Sequence, residues 1–199
     1  MKHNPLLQPH PPLLLGLVGA AGVGKDTAAT YLNAEYGLLS LGFADPVREM
    51  MSVLLNTLGI DGAWMCERAL KEQPMPGLGL SYRQLAQTLG TEWGRALRPD
   101  LWVMCAAHTL QQLHMQGDGA VLTDVRFAEE AQLVRDRGGV LVRIDRLSAA
   151  PVRAHVSEQG IDAIRVDHVV TNDGSKVALY DQLDIVMSGV IGAATRGVA

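Results

Sequence analysis

The 199-residue chain is 48% hydrophobic and 19% charged, enough apolar surface to bury a single-domain core and too much for a disordered chain. Its formal net charge of −4 excludes a nucleic-acid coat or a polybasic membrane surface, so basic chemistry must be local. Arg outnumbers Lys 13 to 4, which favours phosphate ligands but is equally the product of a GC-rich coding sequence. Cys66 and Cys105 show no metal or disulfide spacing, as suits a reducing cytoplasm.

Residues 1–12 are proline-rich and read as an extended tail. Leu13 to Val18 is a continuous apolar run, expected of a parallel strand buried on both faces. The stretch Leu13 to Val23 is too short to span a bilayer, has only Lys2 as a charged flank and runs straight into Gly24-Lys25, so it is not a signal-peptide core. Lys25 to Tyr36 reads as a helix closed by Gly37, and Leu38 to Phe43 as a second strand. Asp45 is expected as the N-cap of the next helix, with Pro46 at its first position. Helices follow at Val47 to Leu58 and Tyr82 to Trp93, with Glu72 to Gly79 between them as a Pro/Gly-rich surface loop. After Pro99, Asp100 to Gln116 is helical, with Leu101, Met104, Cys105, His108 and Leu110 near one face.

A third strand is expected at Ala120 to Thr123, a helix at Phe127 to Arg137, and a fourth strand at Val140 to Ile144. Residues Arg146 to Arg165 are polar and lack a clean period. Val166 to Val170 reads as the last strand, and Ser175 to about Ile191 as an amphipathic helix with Leu179, Leu183, Val186 and Val190 on one face. Gly192 to Ala199 has little to bury. Strands alternating with helices imply right-handed crossovers and a three-layer α/β fold, a parallel sheet flanked by helices, in one domain over 13–191.

The segment Gly19-Ala20-Ala21-Gly22-Val23-Gly24-Lys25-Asp26 fits G-x-x-x-x-G-K between a strand and a helix, and Thr27 follows. Small residues let backbone amides curl around an anion, the helix adds its free N–H groups, and Lys25 reaches the outer phosphates. The nucleotide-binding set is therefore Gly19, Ala21, Gly22, Val23, Gly24, Lys25, Asp26 and Thr27. The position that normally gives a Ser or Thr hydroxyl to Mg²⁺ holds Asp26; a carboxylate also suits Mg²⁺, directly or through water. This weakens a reading as a GTPase or a large ATPase machine.

Five segments occur in order: Gly24-Lys25-Asp26-Thr27, Phe43-Ala44-Asp45-Pro46-Val47-Arg48, Tyr82 to Glu92 (YRQLAQTLGTE), Thr123-Asp124-Val125-Arg126-Phe127 and Thr171-Asn172-Asp173-Gly174-Ser175. Together they resemble the bacteriophage-type deoxynucleoside monophosphate kinases, over residues 13–187. The resemblance implies a P-loop kinase fold with a lid at 146–165. It also implies transfer of the γ-phosphate of ATP, with Mg²⁺, to a deoxynucleoside 5'-monophosphate, giving the diphosphate for DNA precursor synthesis.

Transfer between two anionic nucleotides needs positive charge, in-line positioning and exclusion of water, and an ionised acceptor phosphate needs no strong general base. Lys25, Arg126 and, from the lid segment, Arg146 and Arg153 are the catalytic candidates. Asp124, at the carboxyl end of a strand, is with Asp26 the candidate Mg²⁺ ligand; its plainer reading is a helix cap. Asp45, Arg48, Arg83, Gln87, Trp93, Arg95 and Arg126 are the acceptor-site candidates, Arg83 and Gln87 sharing a helix face. Three of them have a plainer role: Asp45 as N-cap, Arg126 in a surface ion pair and Trp93 in the core. The plainer reading of the lid arginines is pairing with Glu158 and Asp162 in a solvated loop. Asn172 and Gly174 would hold the adenine edge, in a turn that also caps the last helix. His108 and His114 read as ordinary helix residues. The partners expected are small-molecule nucleotides, with no nucleic acid and no membrane, and a homodimer is left open. The rivals are a P-loop kinase of the dephospho-coenzyme A or phosphomevalonate type, and an ATP-binding switch without turnover.

Overall fold

An apolar run with no polar alternation must be covered on both sides. In the computed structural model, which describes residues 12–146 and 160–196, all of Leu14–Val18 (β1) is buried. It lies at the centre of a five-stranded sheet in the order β2-β3-β1-β4-β5, with β2 at Leu39–Leu41, β3 at Ala120–Val125, β4 at Val140–Asp145 and β5 at His168–Thr171. Every pairing is parallel. Parallel neighbours need crossovers, and α1 (Lys25–Tyr36) and the later helices supply them.

The alternation along β1 sorts the layers. Leu15 and Leu17 join Val121, Val142, Ile144 and Val170 beneath Ala28, Ala29 and Leu32 of α1 and Leu179, Leu183, Val186 and Met187 of the last helix. On the other face Gly16 lies against Val134, Val125 and Leu141, where the helix 128–136 crosses. This is the three-layer α/β fold expected from the sequence, with a parallel sheet between helices.

Among the described residues, those up to Gly42 and from Ala106 onward form one compact unit, and Phe43–Cys105 forms another. The smaller unit holds α2 (Asp45–Thr57), the single turn α3 (Ala63–Cys66) and α4 (Tyr82–Gln87). The boundary falls inside α5 (Leu101–Gln116). The larger unit adds α6 (Ala128–Asp136), a 3₁₀ turn at Ile161–Ala163 and the last helix, α7 (Lys176–Arg196).

Several local expectations shift. Asp45 is the first residue of α2 rather than its N-cap: Ala44 flanks the helix, and the Asp45 carboxylate turns along it to Arg48. The loop 72–79 is stapled by a Met75–Leu80 backbone hydrogen bond and a Pro74–Ser81 bridge, with the Met75 side chain buried. The buried side of α5 is Trp102, Ala106 and Leu110, a strict i, i+4, i+8 row, whereas Met104 is 47% exposed. β5 starts at His168, and α7 continues to Arg196 instead of ending near Ile191. By length and composition alone α7 could cross a membrane; here its stripe from Leu179 to Met187 lies in the sheet core. The N-terminal tail and most of segment 146–165 fall outside the described residues.

The helix expected over Tyr82 to Trp93 changes winding midway. After α4 the chain widens into π-helical turns over Thr88–Arg95. Trp102 accounts for the change: its indole Nε1–H donates to the Gly90 carbonyl at 2.7 Å, and its ring fills the space where Gly94 has no side chain. A methyl at Gly94 would sit 2.2 Å from the ring. Alanine is the better helix former, yet here Gly94→Ala should lower the unfolding free energy by about 1–3 kcal/mol through overpacking. A denaturant titration reads the sign: stabilisation would mean that the indole does not occupy this position.

A second cluster ties α1 to α7. Tyr31 and Tyr36 both donate to the Asp184 carboxylate, at 2.6 and 2.7 Å, and the Tyr31 ring stacks on Tyr180 with centroids 4.0 Å apart. The hydrogen bonds from Tyr31 and Tyr36 hold the Asp184 carboxyl below its ordinary range, and the bond to Asp184 pushes the Tyr31 phenol up to about 12. A lowered carboxylate pKa stabilises the fold above the unfolded value and loses that effect as pH falls through the folded one. A raised phenol acts below about 10 and loses its effect as pH climbs toward the folded value. The melting-temperature deficit of Asp184→Ala relative to wild type should therefore be widest near neutrality, shrinking below about pH 4 and above about pH 10. A deficit that stays constant with pH would exclude the ionic contribution.

Candidate phosphate-binding site

Three glycines let the chain between β1 and α1 turn on itself: Gly19, Gly22 and Gly24 have φ of 150°, 82° and 109°. The loop leaves the carboxyl end of β1, where Val18 is in register with Val125 of β3 and Arg143 of β4. No side chain caps α1, whose N-terminal flank is Gly24, so its first amides keep an anion-binding geometry. Lys25 is buried, and its ammonium donates to the carbonyls of Gly19 (2.6 Å) and Ala20 (2.8 Å), bracing the loop from within. Asp26 is exposed in the first turn and Thr27 is half-buried.

The neighbouring strands bring further candidates to the same edge. Asp124 and Arg126, both half-buried, flank Val125 at the end of β3. Their turn is held by a residue that the sequence reading passed over. Glu130 on α6 is only 3% exposed and accepts the backbone N–H of Arg126 at 2.8 Å and of Phe127 at 3.2 Å. A Glu at the third position of a helix that reaches back to the entering amides is half of a capping box, so the signal was present in the sequence.

The segment expected to form a lid is described only at its ends. Arg146 is exposed after β4, and Arg153 lies outside the described residues, as do His155 and Glu158. At the far end Ile161 and Ile164 are buried, and the Arg143 guanidinium donates to both their carbonyls, at 3.1 and 2.9 Å. Arg143 thus fastens the chain at 161–164 to β4. Asp167 does the same two residues earlier on β4, accepting from the Leu141 N–H at 2.8 Å.

Asn172 follows β5, whose last residue Thr171 is bracketed by the Gln182 side chain. Its side-chain amide donates to the Val23 carbonyl at 2.8 Å, within the phosphate loop. Ser175 accepts the Ala178 N–H and so caps α7, the plainer of the two roles read for this turn; Gly174 is exposed within it.

The acceptor candidates all lie in the smaller unit, apart from Arg126. Arg48 pairs with Asp45, and the Arg83 guanidinium contacts Glu72. Arg83 and Gln87 share α4. Trp93 is 45% exposed in the π-helical stretch, so it is no core residue, and Arg95 donates to the Pro99 carbonyl at 3.3 Å. Among the described residues no three His, Cys, Asp or Glu side chains gather as a metal cluster.

A glycine-rich loop between a central parallel strand and a helix, with a buried Lys at its exit, defines the chain as a P-loop phosphotransferase. The deoxynucleotide monophosphate kinase family model matches residues 78–183. A mimivirus protein (Acanthamoeba polyphaga mimivirus), provisionally named a deoxynucleotide monophosphate kinase, is 32% identical over 86% of this chain and 94% of its own. The deoxynucleoside-5'-monophosphate kinase of Escherichia phage T5 is 26% identical over 90% and 99%. The shikimate kinase of Aquifex aeolicus shares the fold, with a TM-score of 0.52 at 13% identity over 89% of this chain and 97% of that one. The chain belongs to the deoxynucleotide monophosphate kinase family.

Because the Glu130 carboxylate accepts the amides of Arg126 and Phe127, Glu130→Ala should cost about 1–3 kcal/mol of stability by removing the acceptor of two half-buried donors. Glu130→Gln keeps an acceptor and should cost less. Thermal melts of both check this, and equal losses would count against the capping role.

Proposed function

We propose that the chain transfers the γ-phosphate of ATP to the 5'-phosphate of a deoxynucleoside monophosphate. The observation that carries this is the phosphate loop, with Lys25 at its exit and the Asp124-Val125-Arg126 turn on the adjoining strand, in a chain of this family. Lys25 would exchange its loop carbonyls for β- and γ-phosphate oxygens as charge shifts during transfer. Arg126, with Arg146 and Arg153 of the lid segment, would meet the transferred group. Hard oxygen donors suit Mg²⁺, which takes one or two carboxylates plus phosphates and water; Asp26 and Asp124 are the residues that would hold it. Bound there, the ion would neutralise phosphate charge.

In the smaller unit, Arg48 and Arg83 already bind carboxylates, the same planar anionic chemistry that a monophosphate offers. An incoming acceptor would displace Asp45 and Glu72 from them. Gln87 and Trp93 would meet its base, with Arg95 nearby on the π-helical stretch. Asn172 and Gly174, in the same unit as the phosphate loop, would stand on the donor side.

ATP consumption measured against each deoxynucleoside monophosphate, with dephospho-coenzyme A and phosphomevalonate as rival acceptors, tests the reading. Turnover should appear only with deoxynucleotides, and turnover with a rival acceptor would replace it. Lys25→Ala should reduce kcat by about 10²- to 10³-fold in a folded protein. Arg83→Ala should raise the acceptor KM roughly ten- to a hundredfold with little change for ATP. Equal losses for both substrates would remove Arg83 from the acceptor site.

A further inference from the structure

The exit of the phosphate loop is shaped by a residue 149 positions further along the chain. Gly24 has φ 109° and ψ 16°, and a Cβ there would lie 2.3 Å from Asn172 Nδ2. Asn172 therefore occupies the volume that a side chain at position 24 would need. Its Nδ2–H donates to the Val23 carbonyl at 2.8 Å. In a planar trans peptide the carbonyl and the following N–H point in opposite directions. Holding the Val23 oxygen toward Asn172 thus turns the Gly24 N–H away from it, and the Gly24 carbonyl goes on to accept the first helical bond, from Ala28 N–H at 3.0 Å.

Asn172 is itself held firmly. Its backbone N–H donates to the Asp145 carbonyl at 2.7 Å, and Gln182 bonds both the N–H and the C=O of the preceding Thr171, each at 2.9 Å. The side-chain amide is delivered from the fixed end of an edge strand.

We propose that Asn172 is a positioning residue for the phosphate loop: it fixes the Val23–Gly24 peptide so that the amides entering α1 face the donor phosphates. The inference rests on the reading of the loop as the ATP site. It gives the Asn172 side chain a task in holding the polyphosphate and leaves recognition of the base to other groups. Glycine at position 24 is called for twice, by its φ of 109° and by the Asn172 amide in the space a Cβ would take.

The test separates the two halves of the donor. Calorimetric binding of ATP, of inorganic tripolyphosphate and of adenosine is compared for wild type, Asn172→Ala and Asn172→Asp. Loss of one neutral hydrogen bond should weaken ATP and tripolyphosphate by the same factor, roughly tenfold, with adenosine unchanged. In Asn172→Asp the carboxylate opposes the Val23 oxygen, so binding at neutral pH should be weaker still. Protonation restores a donor, and the variant-to-wild-type affinity ratio for tripolyphosphate should recover as pH falls through the carboxyl range, about 4 to 5. A merely structural role would not produce that recovery, and the Asp variant carries the test alone if Asn172→Ala fails to fold. Weakened adenosine binding with tripolyphosphate unaffected, or no change for any ligand, overturns the inference. A wild-type protein that binds neither ATP nor tripolyphosphate overturns the parent reading instead, before any variant is made.

Discussion

The pairing of β1 with β3 on one side and β4 on the other decides where polar chemistry can exist in the larger unit. All of β1 is buried, so it can carry no functional side chain of its own. Its contribution is a direction: the chain leaves its carboxyl end beside the ends of two parallel neighbours, and the glycines there turn the backbone into the loop. Parallel strands all end on the same edge, which brings Asp124, Arg143 and, through β5, Asn172 to that edge as well. The helices fix the ends of these strands in turn. Glu130 on α6 holds the turn after β3, and Gln182 on α7 holds the end of β5.

The parts of this arrangement legible in the sequence are those set by local pattern. Leu13 to Val18 could only be a buried strand, and α1 has the same bounds in sequence and structure because Gly24 and Gly37 punctuate it. What escaped was set by distant partners. No local signal at Thr88 to Arg95 announces π-helical turns; Trp102, beyond Pro99, imposes them. The face of α5 was misjudged because several apolar residues compete there, and packing buries Trp102, Ala106 and Leu110. Asp45 was expected as a cap, a role that its pairing with Arg48 replaces. The site divides in the same way. The phosphate loop announces itself by spacing, whereas the Asn172 amide on Val23 joins residues that no short motif contains.

A common economy runs through the charged groups. Arg48 and Arg83 rest against carboxylates, and Lys25 rests on the loop's own carbonyls. The two arginine pairs are partly exposed and contribute little to stability, so in the proposed reaction an anionic acceptor would break them at little cost. Their effect is on readiness, because a cation already held in one geometry loses less freedom when its partner changes.

The placement of the indoles has a practical corollary. Trp64, Trp93 and Trp102 account for all three tryptophans, and each lies between Phe43 and Cys105. Intrinsic tryptophan emission is therefore a spectroscopic label for the smaller unit alone, supplied by the natural sequence. Three of the four tyrosines, Tyr31, Tyr36 and Tyr180, belong to the α1–α7 cluster of the larger unit. Near-ultraviolet signals from the two chromophores can be followed separately during unfolding, giving each unit its own reporter without any added dye.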